Sequence, residues 1–124
     1  MKKPPILPLS SIEKNNIAIV GGKAAMLGKL LQNNIPAPHG FVLTTHAHDF
    51  FLAEKGMQEY VQDILTEVAQ KRRGISRASA HIRTNILENG LPNALRDMLS
   101  RVAKDFPGNT LAVRSSATVE DSAT

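Results

Sequence analysis

The first half of the chain places short apolar runs between glycines and prolines, whereas the second half repeats apolar residues at helical spacing. Within the first half, helical spacing occurs only over residues 23–33, which predicts one helix that ends at an asparagine pair. Residues 17–20 are apolar and precede Gly21, which predicts a brief strand or a buried approach to a loop. Residues 41–44 carry aromatic and β-branched side chains and predict a strand.

The second half predicts four amphipathic helices, each bounded by a residue that starts or ends helices well. Thr44 or Thr45 offers an N-cap for the first helix, which Gly56 ends. The later three are expected at residues 57–73, 76–89 and 92–105.

The helix at residues 76–89 is expected to begin at a Ser76 cap, and its predicted buried positions are Ala80, Ile82, Ile86 and Leu87. Residues 110–113 predict a last strand. Two strands do not make a stable sheet alone, so we expect further chain downstream of residue 124. The fold class predicted from this pattern is α+β, rich in helix with a few short strands.

Length and composition indicate one globular domain: the chain has 124 residues, of which 42% are hydrophobic and 21% are charged. Residues 1–10 contain three prolines and are expected to form an irregular lead-in. Those prolines also interrupt any signal-peptide pattern, and no apolar run is long enough to span a membrane. The chain has no cysteine, which excludes disulfides and thiolate metal sites. We therefore expect a cytoplasmic protein without a membrane partner.

Three candidate sites do not match the residue patterns of the sites that they suggest at first sight. Gly22-Lys23 and Gly28-Lys29 each lack a required neighbour of a phosphate-binding P-loop. His46 and His48 point apart at helical spacing, and no cysteine or carboxylate cluster completes a ligand set, so no metal site is predicted. Residues 71–83 hold five basic side chains and no acid. They lack the interleaved aromatic residues typical of nucleic-acid binding, which favours a solvated helix surface and no nucleic-acid partner.

The motif Val20-Gly21-Gly22-Lys23 offers a better anion site. The glycines allow a sharp turn and a close approach of backbone to a ligand. The lysine follows at once, and the predicted helix begins beside it with its positive dipole end. An ordinary loop before a helix would show the same short pattern, so the motif alone leaves both interpretations open.

A second candidate follows the predicted strand at residues 110–113. The Arg114 guanidinium offers a planar fork of donors suited to phosphate, and the Ser115 and Ser116 hydroxyls add short donors. Glu120 and Asp121 could accept hydrogen bonds from a ribose or an arginine, or coordinate a magnesium ion indirectly. A strand-end ion pair is the alternative interpretation.

Three blocks, at residues 21–28, 35–45 and 111–121, occur in an order and spacing that closely resemble the N-terminal nucleotide-binding domain of phosphoenolpyruvate synthase and pyruvate phosphate dikinase. Rifampin phosphotransferases share this domain. The resemblance covers residues from about 10 to 124, and implies that the whole chain, residues 1–124, is the incomplete N-terminal part of an ATP-grasp-type domain. It also implies that Lys23 and Arg114 contact ATP phosphates.

The resemblance further implies a nucleotide pocket lined by Gly22, Ser115 and Ser116, with Glu120 and Asp121 nearby. ATP and Mg²⁺ are the implied cofactors, and the magnesium ligands are expected in the part of the family that this chain lacks. Also absent are the phosphate-covering loop, the domain with the phosphorylated histidine, and the barrel that binds pyruvate. No catalytic residue is therefore assigned, and none of the four histidines matches the phosphohistidine motif.

The function that the resemblance implies is ATP binding within an ATP-dependent dikinase or phosphotransferase that phosphorylates pyruvate or another acceptor through a phosphohistidine. It leaves a homodimer open for the full-length enzyme. Taken alone, the chain is expected to bind ATP weakly or not at all and to show no turnover. The alternatives are a split or truncated non-catalytic nucleotide-binding module, an antibiotic kinase of the rifampin type and, less favoured, a basic nucleic-acid-binding protein.

Overall fold

A computed structural model describes residues 3–106, 108 and 110–118. The chain divides into two compact units. Residues up to His48, together with those from Asp97 onward, form the first unit, and Asp49–Arg96 form the second. Helices dominate the described residues and accompany one two-stranded sheet, which agrees with the predicted α+β class.

The first unit is built on an antiparallel pair of short strands followed by helical turns. Strand β1, Ile6–Pro8, pairs with β2, Phe41–Leu43, so that Leu7 lies opposite Val42. Between the two strands lie two 3-10 turns, Leu9–Ser11 and Lys14–Asn16, the short helix α1, Ile17–Val20, and the helix α2, Gly22–Gln32.

The core of this unit is aliphatic and lies between α2, the first 3-10 turn and the sheet. Its buried members are Leu9, Ile12, Val20, Ala24 and Val42. The other end of α2 is attached as well, because the Gln32 side-chain amide donates to the carbonyl oxygen of Ile12 at 2.6 Å. The helix is therefore fixed along its length, and its N-terminus has a defined place in the unit.

Two sequence-based predictions about the first unit are wrong. The lead-in at residues 1–10, expected to be irregular, contains β1. Proline is tolerated there because Pro8 ends a strand at a sheet edge, where a missing N–H breaks no interior ladder. Pro4 and Pro5 keep their carbonyl groups as acceptors, and these accept from the Thr44 hydroxyl and amide at 2.8 and 2.9 Å.

The run at residues 17–20 forms one helical turn, which excludes the strand, and its last residue, Val20, is buried just before Gly21, in line with the alternative of a buried approach to a loop. Four apolar residues carry too little periodicity to separate the two states. Residues 110–113, expected to form a strand, have no regular secondary structure, and Val113 is 93% exposed. Strand propensity alone does not form a strand, because the ladder needs a neighbour to supply its hydrogen bonds.

The division of the chain into two units falls within two helices, α3, Thr45–Glu54, and α6, Asn93–Lys104. Two more lie wholly within the second unit, α4, Met57–Ala69, and α5, Ile75–Asn89, which contact each other and are joined by a short loop. The buried hydrophobic residues of this unit come from all four helices: Phe51, Met57, Ile64, Ala78 and Leu95. All four helices were predicted, although α4 ends four residues earlier than expected.

The start and the buried face of α5 differ from the prediction. Gly74, and not Ser76, is the N-cap residue. Ala78 is the buried residue of the helix, whereas Ala80 and Ile86 are exposed and Leu87 is 75% exposed. An open apolar groove of about 390 Å³ lies here, lined in part by Leu65, Val68, Ile75, Ile82 and Ile86. Among the described residues, no helix combines the length and apolar character needed to cross a membrane.

Candidate anion site at the N-terminus of helix α2

The chain reverses direction between α1 and α2 at Gly21. The Gly21 amide closes α1 by donating to the carbonyl of Ile17 at 3.0 Å, and the Gly21 carbonyl accepts the first hydrogen bond within α2, from Ala25 at 3.0 Å. The backbone of Gly21 has φ +81° and ψ 168°, a region that is essentially restricted to glycine. The first glycine of the Gly-Gly-Lys motif is therefore required by the turn between two helices.

The first turn of α2 carries the features of an anion site. Gly22 is the first residue of α2, so its amide stands at the N1 position, where the helix has no carbonyl one turn earlier to accept from it. No acidic side chain lies in this turn, and Lys23, which is exposed, adds a positive charge to the positive end of the helix dipole. Backbone N–H groups and a cation in this arrangement favour phosphate or carboxylate groups.

Ser116 joins this turn to a stretch of chain more than ninety residues away. Its hydroxyl donates to the carbonyl of Val20 at 2.7 Å, and its oxygen accepts from the amide of Ala24 at 3.2 Å. Ala24 is the third residue of α2, the position whose amide an N-cap serine usually binds. Since Gly21 is the N-cap residue and has no side chain, Ser116 supplies the missing cap from elsewhere in the fold.

Gly21 and Ser116 also fit each other sterically. A Cβ atom added at Gly21 would lie 2.6 Å from Ser116 Oγ, and 2.7 Å from the carbonyl oxygen of Ala117. The oxygen of Ser116 thus lies against the space that an N-cap side chain would enter. Glycine is needed here both for its backbone conformation and for the close approach of the residues at 116 and 117.

The structure brings together part of the predicted site. Arg114 and Ser115 are exposed, Gly22 and Ser116 are half-buried, and the two halves of the site meet at the contact between Ser116 and the start of α2. Glu120 and Asp121 lie outside the described residues. The single hydroxyl proton of Ser116 is donated to Val20, so this serine does not present a donor to a ligand in the observed conformation.

The capping role of Ser116 was not foreseen from the sequence. The Arg-Ser-Ser pattern suggested two hydroxyl donors for phosphate, and nothing local distinguishes the two serines. The only signal in the chain is indirect: a glycine pair opens α2 where a serine, threonine or aspartate cap is usual. Such a glycine indicates that something else occupies the cap position, without naming the residue.

The basic residues at 71–83 form a separate cluster in the second unit. Arg73 donates from Nε to Glu67 Oε2 at 2.5 Å and also contacts Nδ1 of His81. The hydrogen bond from Arg73 lowers the pKa of the Glu67 carboxyl, partial burial opposes this, and the charges of Arg73, Arg72 and His81 lower the pKa further. Arg72 and Arg77 are exposed around an open hollow of about 610 Å³, in agreement with the predicted solvated surface.

Comparison with known proteins yields one family and a consistent set of relatives. The family model described as the pyruvate phosphate dikinase AMP/ATP-binding domain matches residues 17–124. Phosphoenolpyruvate synthase from Aeropyrum pernix is 37% identical over 131 residues, which cover 98% of this chain and 16% of the relative. Phosphoenolpyruvate synthase from Escherichia coli is 31% identical over 128 residues, covering 95% of this chain and 16% of the relative.

A third relative carries a different name. Rifampicin phosphotransferase from Streptomyces sviceus is 34% identical over 119 residues, covering 94% of this chain and 14% of the relative. The chain therefore spans about a sixth of the length of these three proteins.

Proposed function

Because the chain belongs to the family of the pyruvate phosphate dikinase AMP/ATP-binding domain, we propose that it forms one wall of an ATP-phosphate site in an ATP-dependent phosphotransferase. In this proposal the chain is the N-terminal part of an ATP-grasp-type domain. The observation that supports it most directly is the pair of hydrogen bonds made by Ser116, through which the Arg-Ser-Ser stretch reaches the N-terminus of α2.

The proposed phosphate ligands lie on both sides of that contact. On the helix side they are the Gly22 amide and the Lys23 ammonium group; on the other side they are the Arg114 guanidinium and the Ser115 hydroxyl. Phosphoryl transfer depends mainly on positioning and on neutralising charge, and this set supplies two cations and short donors for that purpose. Lysine acts as a compact point charge, whereas arginine can bind two phosphate oxygens with its planar fork.

Magnesium enters this proposal only together with the nucleotide. The residues that the structure describes contain no group of three or more His, Asp or Glu side chains placed to hold a metal ion. Mg²⁺ commonly keeps phosphate oxygens and waters as ligands and needs only one or two carboxylates. When bound, it would neutralise phosphate charge; the residues described here bind and orient the phosphates without it.

The reaction of the whole protein is proposed at a coarser level. Relatives named phosphoenolpyruvate synthase and rifampicin phosphotransferase resemble this chain to similar degrees, at 37% and 34% identity. We therefore propose ATP as the donor and leave the acceptor, pyruvate or an antibiotic, to residues outside this chain. Transfer through a phosphohistidine is part of the same proposal and would use a histidine outside residues 1–124.

The test is a titration of the ¹⁵N-labelled chain with Mg-ATP, followed by NMR, which detects affinities as weak as about millimolar. We expect saturable shifts at the amides of Gly22, Ser115 and Arg114. Lys23→Ala and Arg114→Ala should each weaken binding about tenfold or more, because each removes a charge-assisted contact. Arg77→Ala is the matched control, since it removes an exposed arginine from α5 and should leave the affinity unchanged.

Two results would contradict the proposal. The first is a set of shifts that centres on the start of α5 and is lost in Arg77→Ala, because the nucleotide would then bind the basic cluster of the second unit. The second is a set of saturable shifts that persists unchanged in both Lys23→Ala and Arg114→Ala, because neither cation would then bind phosphate.

A further inference from the structure

In the segment that carries Arg114, the hydrogen bonds to the rest of the first unit come from one of the described residues, Ser116. Among the described residues from 108 to 118, the hydrogen bonds are the two made by the Ser116 hydroxyl, to Val20 and from Ala24. Residues 110–117 have no regular secondary structure, so no ladder or helix fixes their backbone. The contact at Ser116 therefore determines where this segment lies against α2.

We propose that Ser116 is a positioning residue, and that its contact with Gly21 forms a latch that holds Arg114 and Ser115 beside the N-terminus of α2. The latch is defined by the hydroxyl of Ser116, the carbonyl of Val20, the amide of Ala24 and the bare Cα of Gly21. What the latch positions rests on the proposed function, whereas the latch itself is a feature of the fold and can be tested without nucleotide.

The hydrogen-bonding capacity of one hydroxyl supports this assignment. A serine has one proton to donate, and here that proton goes to the Val20 carbonyl. One lone pair of the same oxygen accepts from Ala24, so the hydroxyl is used on both sides by the turn between α1 and α2. Ser115, which is exposed and lies one residue earlier, keeps its hydroxyl available for a ligand. The two serines of one motif are thus assigned different tasks.

The latch also brings Arg114 close to the first turn of α2. Ser116 binds the amide of the third helical residue, Ala24, and Gly22 and Lys23 are the two residues that precede it in the same turn. Arg114 is two residues from Ser116, and two residues of extended chain span at most about 7 Å. The guanidinium therefore starts from a point that the latch holds close to the helix N-terminus.

The first experiment measures hydrogen exchange of the Ala24 amide in the complete 124-residue chain without nucleotide. Ser116→Ala should lower the protection of this amide from exchange about two- to tenfold. The loss of one hydrogen bond changes the equilibrium between the closed and open states of the amide by about that factor. Ser115→Ala removes the neighbouring hydroxyl and is the matched control, with unchanged protection at Ala24. Equal protection in both variants would overturn the latch, whatever the outcome with ATP.

The second experiment separates positioning from a merely structural role by a double-mutant cycle on ATP affinity. If Ser116 acts through Arg114, Ser116→Ala should weaken binding about fivefold or more, and Arg114→Ala should then cost much less than in the unmodified chain. Additive losses would overturn the positioning role. If Arg114→Ala leaves ATP affinity unchanged in the unmodified chain, the proposed phosphate site fails, and the exchange measurement still decides the latch.

Discussion

The two units each begin helices at glycine, but the surroundings of those glycines differ. In the first unit Gly21 precedes α2, and its Cα is packed against Ser116 and Ala117, with an added Cβ at 2.6–2.9 Å from their atoms. In the second unit Gly56 and Gly74 precede α4 and α5, and an added Cβ would meet nothing within 4 Å at either one. The same residue type thus closes a tertiary contact in one unit and borders open space in the other.

The backbone conformations divide the three glycines differently. Gly21 and Gly56 both have positive φ, at +81° and +61°, whereas Gly74 has φ −73° and ψ 149°, which any residue adopts. Gly21 is therefore constrained by backbone and by packing, Gly56 by backbone alone, and Gly74 by neither. This graded series allows the contribution of the latch at Gly21 to be separated from that of the turn.

The largest effect is expected for Gly21→Ala. The backbone region costs a residue with a Cβ about 1–3 kcal/mol, and displacing the cap from Ser116 adds about 1 kcal/mol. We expect a total destabilisation of about 2–4 kcal/mol, measured as the free energy of unfolding in urea. Gly74→Ala is the control and should change stability by no more than about 0.5 kcal/mol. Equal effects at the two positions would contradict the close packing at Gly21.

Near Gly21 the sequence predicted the local structure well, but not the long-range contact that requires the glycine. Its glycine pair, lysine and following helix are all present, and α2 begins within one residue of the expected start. The contact with Ser116 could not be read from the chain, because it joins positions 92 residues apart and no local pattern records such a pairing. Glycine also looks the same in a sequence whether its Cβ would clash or point into solvent.

Burial was the second property that the sequence predicted incompletely. Leu87 lies at helical spacing with other apolar residues of α5, which predicted a buried position, yet it is 75% exposed. Periodicity identifies an apolar face but does not supply the surface that covers it. The same reason applies to Val113, which lies in the run at residues 110–113 that predicted a strand, where the structure has no regular secondary structure.

The intermediate effect is expected for Gly56→Ala, which isolates the contribution of the backbone. Its left-handed conformation costs an alanine roughly 1–2 kcal/mol, and the open surroundings add no clash. The loss in urea unfolding should therefore lie between those of Gly74→Ala and Gly21→Ala. A loss as large as that of Gly21→Ala would show that the turn, and not the contact with Ser116, determines the need for glycine at position 21.

The smallest effect is expected for the ion pair between Glu67 and Arg73, which differs from the Ser116 contact in being titratable. Since the folded-state pKa of Glu67 lies below its ordinary value of 4.5, the pair stabilises the second unit above that pH. The contribution is lost as the pH falls through the lower, folded-state pKa, where the carboxylate takes up a proton. Urea unfolding of the parent chain and of Glu67→Gln should therefore differ slightly near neutral pH and converge in acid. Added salt should reduce the difference at neutral pH, because both side chains are partly exposed, at 32% for Glu67 and 21% for Arg73.

The hydroxyl of Ser116 does not titrate in this range, so the loss of stability in Ser116→Ala should be the same at neutral and at acid pH. A difference for Glu67→Gln that grows as the pH falls would contradict the role assigned to this ion pair.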